Sequence, residues 1–251
     1  MCQLHSYLFH FVDAKVRPHC AKLKHIIIYQ KKMIKLVIFD LDGTLLDTLE
    51  DIADACNYAL NVCGHQQREL EEYRRFVGRG IMNLFRSALP ERHQNEEEVL
   101  RMKSAFIPYY NEHKDDKTRP YPGITSLLDA LTEKGIRLAV ASNKYQEATE
   151  ELVRKHFSQY DFACILGQRE GKPIKPDAGI ILEAMDYCGN ILPDEVVYCG
   201  DSDVDMQTGN NASVKTIGVT WGFRTKEELA AYSPMLLADD QMQIFAAIAE
   251  L

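Results

Sequence analysis

From Met33 onward the chain alternates short apolar runs with longer segments whose apolar positions recur every three or four residues. The runs KLVIF, IRLAVAS, DFACIL, EVVYCG and VKTIGVT are too short for helices, rich in β-branched residues, and read as buried strands. Between and after them, GITSLLDALTEK closed by Gly135, YQEATEELVRKHF, DAGIILEAMDY closed by Gly189, and DQMQIFAAIAEL carry the helical period. Strand and helix in alternation predict an α/β fold, a doubly wound parallel sheet with helices on both faces.

One stretch breaks the alternation. Between Thr48 and about Pro120 only helical patterns are found, which is too long for a simple crossover. LEDIADACNYALNVCG places Ile52, Cys56, Ala59, Leu60 and Cys63 on one face, and EEEVLRMKSAFIPYY does the same with Val99, Met102, Phe106 and Tyr110. The predicted organisation is a core of residues 33–47 and 119–251 interrupted by an all-helical insertion, residues 48–118. Residues 1–32 are rich in histidine and basic side chains. HIIIY within them offers an extra edge strand, yet a strand-first domain starts cleanly at Met33. We expect this extension to lie outside the catalytic fold, as an upstream misassigned start; the rival is an arm that packs on the domain or on a partner.

Composition narrows the function classes. The 251 residues are 46% hydrophobic, enough for a sizeable core. A formal charge of -8, with no lysine or arginine run, argues against a nucleic-acid partner. The seven cysteines are scattered, odd in number and never in a CxxC pair, which speaks against a disulfide framework or a zinc knuckle and for a reducing cytoplasm. No run approaches membrane-spanning length, so no membrane partner is expected.

The chemistry lies where the apolar runs stop. LVIF ends in DLDGT, LAVA in SNK, and VVYC in GDSDVD. In an open parallel sheet these carboxyl ends line one edge, which hosts the ligand crevice. The converging set is Asp40, Asp42, Ser142, Asn143, Asp201, Asp205 and a lysine. Carboxylates gathered in a buried crevice repel one another unless a cation neutralises them, and an all-oxygen set suits magnesium better than zinc. Gly43 predicts that the chain turns directly after Asp42 and splays the first two carboxylates. An aspartate fixed beside the cation can attack a phosphoryl group while the second protonates the leaving oxygen. Blander readings are an Asx turn for Asp40 and Asp42, a helix N-cap for Ser142 and Asn143, and a solvated acidic loop around Asp201, with Asp203 its exposed member.

FDLDGTLLDT, SNK, KPD and GDSDVDM, in that order, resemble the four motifs of the haloacid dehalogenase superfamily, and the resemblance runs from about Met33 to the end of the chain. FVGRGI and YPGI are similar to its phosphoglycolate phosphatase-like branch. The resemblance implies a Rossmann-like core with a helical cap after the first motif. It also implies Asp40 as nucleophile and metal ligand, Asp42 as general acid/base whose backbone carbonyl reaches the metal, Asp201 as third ligand, and Asp205 behind them. Ser142 and Asn143 would hold phosphoryl oxygens. Lys175 would offset charge, with Lys172 a nearby competitor because the third motif reads KPDAG without a further proline. The second aspartate favours a phosphatase over a dehalogenase, since an alkoxide leaving group needs a proton and a halide does not.

The expectation is a magnesium-dependent phosphatase acting through an aspartyl-phosphate on a small phosphate ester, 2-phosphoglycolate first, as monomer or homodimer. Rivals are a nucleotidase or pyrophosphatase, a sugar-phosphate mutase, and a non-catalytic binding protein. Arg79, between the glycines of VGRG, is the candidate for a substrate carboxylate, against a plain surface arginine.

Overall fold

The computed structural model describes residues 33–189 and 191–251. The HIIIY run and the status of residues 1–32 lie outside the described residues.

Each predicted strand forms, with ends shifted by a few residues: β1 (Leu36–Phe39), later β4 (Arg137–Tyr145), β5 (Phe162–Gln168), β6 (Val196–Gly200) and β7 (Lys215–Val219). Two short strands, β2 (Leu46–Asp47) and β3 (Arg119–Pro120), and a last one, β8 (Leu236–Ala238), escape the sequence pattern, because two or three residues show no periodicity to read. Six strands pair in the order β5-β4-β1-β6-β7-β8, every neighbour parallel. The chain runs from β1 out through β4 to β5, then crosses back to β6, so the order reverses at β1. That switch point is where a crevice opens at the carboxyl ends.

Alternation along β1 divides the core. Val37 and Phe39 face Leu127 and Leu131 of α5 (Ile124–Glu133), Leu152 of α6 (Gln146–His156) and Ile244 of α10 (Gln241–Ala249). Leu36 and Ile38 face Ile181 and Ala184 of α7 (Gly179–Tyr187) on the other side. α8 (Asp203–Asn211) and the short α9 (Lys226–Ala230) complete the winding.

Between β2 and β3 lie four helices, α1 (Leu49–Val62), α2 (Leu70–Phe76), α3 (Ile81–Ala88) and α4 (Glu96–His113). They share a hydrophobic cluster in which Ile52, Cys56, Val99, Met102, Phe106 and Tyr110 are buried and which Ala148 and Phe223 of the core join. β2 and β3 pair antiparallel, with Asp47 opposite Arg119, so the segment leaves and rejoins the core side by side. Asp51, buried in the first turn of α1, accepts the Thr118 N–H at 2.8 Å and the Thr118 hydroxyl at 2.7 Å, tying the two crossings together.

Candidate active site

β1 ends at Phe39, and the next residues turn at once. Asp40 is 4% exposed, and its Oδ1 accepts the Leu41 N–H at 2.7 Å. Gly43 has φ +84°, a left-handed conformation that glycine adopts without strain, and a Cβ there would lie 2.4 Å from Asp201 Oδ2. The turn splays the two carboxylates as the sequence predicts. Asp40 meets Lys175 Nζ at 3.0 Å, whereas Asp42 accepts the Thr48 hydroxyl at 2.8 Å and Lys144 Nζ at 2.9 Å.

GDSDVD is no solvated loop but the start of a helix. Ser202 caps α8 in a reciprocal box with Asp205, whose Oδ2 accepts both the Ser202 N–H, at 3.0 Å, and its hydroxyl, at 2.5 Å. Asp205 Oδ1 accepts from Lys175 Nζ and from the Tyr198 hydroxyl, each at 2.7 Å. Asp201, 1% exposed, accepts the Phe223 N–H at 2.7 Å and the Thr44 hydroxyl at 3.1 Å. Asp203 is the most exposed of these aspartates, at 16% of its side chain, and it pairs with Arg79 and lies 3.5 Å from Arg224 Nε.

Asp40, Asp201 and Asp205 bring one carboxylate oxygen each to within 4.8 Å of one another, all buried. Burial, with the charges of Asp205 and Asp42, pushes Asp40 up to about 7 despite the counteracting Lys175 ammonium. Burial and the Asp205 and Asp40 charges hold Asp201 well above the usual carboxylate range. Asp205 goes the other way: although burial opposes ionisation, Lys175 and the Ser202 and Tyr198 hydrogen bonds together lower it. Two buried carboxyls that resist ionisation, offering oxygen and no nitrogen or sulfur ligand atoms, are a donor set that a hard divalent cation suits. Each Asp205 oxygen accepts from two protein donors, whereas each Asp201 oxygen accepts from one and both the Leu41 N–H and Lys175 meet Asp40 at Oδ1, so Asp40 and Asp201 are the members with capacity to spare. The Asp42 carboxylate stands outside this group.

Ser142 and Asn143 are no N-cap. They lie in β4, and α6 begins after Tyr145 without a side-chain cap. Asn143 instead clamps two segments: its Nδ2 donates to the Gly78 carbonyl at 2.9 Å and the Lys175 carbonyl at 3.1 Å, and its Oδ1 accepts the Lys175 N–H at 2.9 Å. That clamp fixes Lys175, not Lys172, at the centre; Lys172 is 3.4 Å from Glu183, with its side chain 57% exposed. Among the described residues Ser142 Oγ accepts only the Lys144 N–H, at 3.3 Å, and its own hydrogen is available to a ligand.

A small cavity of about 60 Å³ opens between the strand ends and the helical block. Asp40, Asp42, Ser142, Asn143 and Lys144 form its floor, and Ile52, Val77, Ile81, Leu84, Phe106 and Tyr110 its walls. Gly78 and Gly80 line it, but Arg79 between them does not: its side chain is 52% exposed and turned to Asp203.

Residues 37–219 match the family model of the haloacid dehalogenase-like hydrolases. The chain belongs to that family. It is 33% identical to a phosphoglycolate phosphatase of Agrobacterium fabrum over 217 residues, covering 86% of this chain and 92% of the relative. It is 31% identical to the phosphoglycolate phosphatase of Aquifex aeolicus, over 76% of this chain and 86% of that one. A solved structure from Lactobacillus delbrueckii subsp. bulgaricus, provisionally named a phosphoglycolate phosphatase, superposes with a TM-score of 0.80 at 34% identity, covering 86% of this chain and 98% of its own. The hydrolase fold expected from the strand ends is the fold found, and among the described residues no helix is long and apolar enough to cross a membrane.

Two residues of the cavity go unassigned from the sequence. Lys144, third letter of SNK, is given no role there, and Tyr110 is placed only on the apolar face of its helix. What singles them out is the burial of Lys144 against Asp42, which lies 102 positions away, and of both against the cavity.

Proposed function

We propose that this hydrolase is a magnesium-dependent phosphatase of short phosphorylated acids, with 2-phosphoglycolate its substrate, and that residues 48–118 serve as the cap over the reacting atoms. The observation that carries the reading is the cavity itself: a polar floor of Asp40, Asp42, Ser142, Asn143 and Lys144 under largely apolar walls. A sugar would set hydroxyls against Ile52, Val77, Leu84 and Phe106, where they would go unpaired, a cost that rejects such leaving groups. The phosphatase names of the similar chains support the same reaction class.

In this mechanism Asp40, whose Oδ2 accepts no hydrogen bond among the described residues, attacks phosphorus and forms the aspartyl-phosphate as the ester oxygen departs. Asp42 gives its proton to the departing oxygen, then takes one from the water that hydrolyses the intermediate. The Lys175 ammonium, held in place by Asp205 and Tyr198, and the free hydrogen of Ser142 hold the phosphoryl oxygens. Asp40, Asp201 and the backbone carbonyl of Asp42 would hold the magnesium ion, which when bound supplies positive charge against the phosphoryl oxygens and the paired carboxylates. Apolar walls exclude bulk water from the intermediate.

Release of phosphate from p-nitrophenyl phosphate and from 2-phosphoglycolate, with and without magnesium, tests the reading. Hydrolysis that requires the metal and disappears in Asp40→Asn is expected. Full activity in chelator, or in Asp40→Asn, would sink the mechanism.

A further inference from the structure

Arg79 leaves the cavity without the cation that an acidic leaving group requires, and two other groups stand in that place. Lys144, 9% exposed, lines the cavity beside Asp42 and lies 4.8 Å from the centre of the Tyr110 ring. Tyr110 is 1% exposed, lines the same cavity, and its hydroxyl has no hydrogen-bond partner among the described residues. A buried hydroxyl is ordinarily paired, and one left unpaired on a cavity wall is a donor kept for a ligand. Lys175, the other buried ammonium, is committed to Asp40 and Asp205 on the phosphoryl side. Of the other wall residues, Ile52, Val77, Ile81, Leu84 and Phe106 offer hydrocarbon side chains and the Tyr145 hydroxyl donates to Asn111, so side-chain recognition of the leaving group falls to these two.

Resting on the phosphatase reading above, we infer that the Lys144 ammonium and the Tyr110 hydroxyl form the seat for the substrate's second anionic group, the carboxylate of a short phosphorylated hydroxy acid. Lys144 contributes the charge and Tyr110 a directed hydrogen bond, and the apolar wall between them admits only a short methylene spacer. In the free protein Asp42 occupies Lys144. An arriving carboxylate shares that ammonium and loosens its hold on Asp42, so recognition of the acid and release of the proton-transfer group take place at one atom.

The test compares 2-phosphoglycolate with ethyl phosphate, which puts a methyl where the carboxylate stands. Tyr110→Phe removes a hydroxyl with no partner, so its melting temperature does not fall. Its kcat/KM for 2-phosphoglycolate drops roughly tenfold while that for ethyl phosphate stays within about twofold. Lys144→Met acts on both esters through Asp42, but the ratio of the two kcat/KM values collapses by roughly 30-fold, the worth of a hydrogen bond to a charged group. Unchanged ratios in both variants, or a wild-type enzyme that hydrolyses phosphate esters with no preference for the acid, overturn this assignment alone. A wild-type protein that releases phosphate from neither ester nor from p-nitrophenyl phosphate overturns the phosphatase reading with it.

Discussion

Lys175 Nζ lies 2.7 Å from Asp205 Oδ1, and both side chains are sealed from solvent, at 1% and 0% exposure. An ammonium so placed keeps its proton: the Asp205 and Asp40 charges outweigh the burial that would drive it off, and its pKa is raised. Removing the Asp205 charge leaves the lysine half-paired in the interior. Asp205→Asn is therefore expected to cost about 3–5 kcal/mol of stability and to lower kcat/KM roughly 10–100-fold. Urea denaturation and phosphate release measure the two; a variant as stable as wild type would show the pair to be dispensable.

Asp42 is expected to matter in proportion to the proton that the leaving group needs. p-Nitrophenolate departs without one, so Asp42→Asn should give a burst of p-nitrophenol near one equivalent per enzyme, followed by slow turnover. An alkyl ester should show no burst and a loss of roughly 10²–10⁴-fold. Equal losses in the first step for both esters would remove Asp42 from the acid role.

Gly43→Ala tests the turn. The left-handed backbone strains any other residue by about 1–3 kcal/mol, and the added Cβ meets the Asp201 carboxylate at 2.4 Å. Lower thermal stability and a weakened dependence on magnesium, seen as a higher concentration for half-maximal activity, are expected together. Unaltered magnesium dependence would mean that Asp201 does not hold the ion.

Protein freed of metal should lose stability as pH rises from about 4 to 7. Asp40 sits near 7 when folded, against 3.8 for the ordinary side chain, and Asp201 is raised in the same sense. Across that window the folded chain binds more protons than the unfolded one, so stability falls with rising pH. Asp205 and the other lowered carboxylates act at the acid end of the scale, and Lys175 holds its proton throughout. Magnesium should reverse the trend, raising the melting temperature more at pH 7.5 than at pH 5. A magnesium shift that does not grow with pH would contradict the burial of these carboxyls around the ion.

Asp51→Ala leaves the buried Thr118 N–H and hydroxyl without an acceptor, which should cost about 1–3 kcal/mol and show in a melting curve. A neutral effect would mean that water replaces the carboxylate.

What the sequence makes legible follows from range. Strands of four or more residues, the helices between them, and aspartates set at strand ends announce themselves locally. β8, with three residues, has no period, and α8 is hidden because Asp203 and Asp205 look like loop residues until Ser202 is seen to cap a helix with one of them. Arg79 shows the limit in the site: the glycines on both sides mark a turn but not its direction, and the direction is set by Asp203, 124 positions away. Lys144 likewise takes its meaning from Asp42. Long-range partners decide which cation enters the cavity, and no local spacing encodes them.

The antiparallel pairing of Asp47 with Arg119 has an evolutionary side. A chain that departs and returns through adjacent strands closes the sheet's connectivity whatever lies between, so the insertion is a cassette. Changes in the length of its helices away from Gly78, which Asn143 holds, need not move Asp40 or Asp201 at the strand ends.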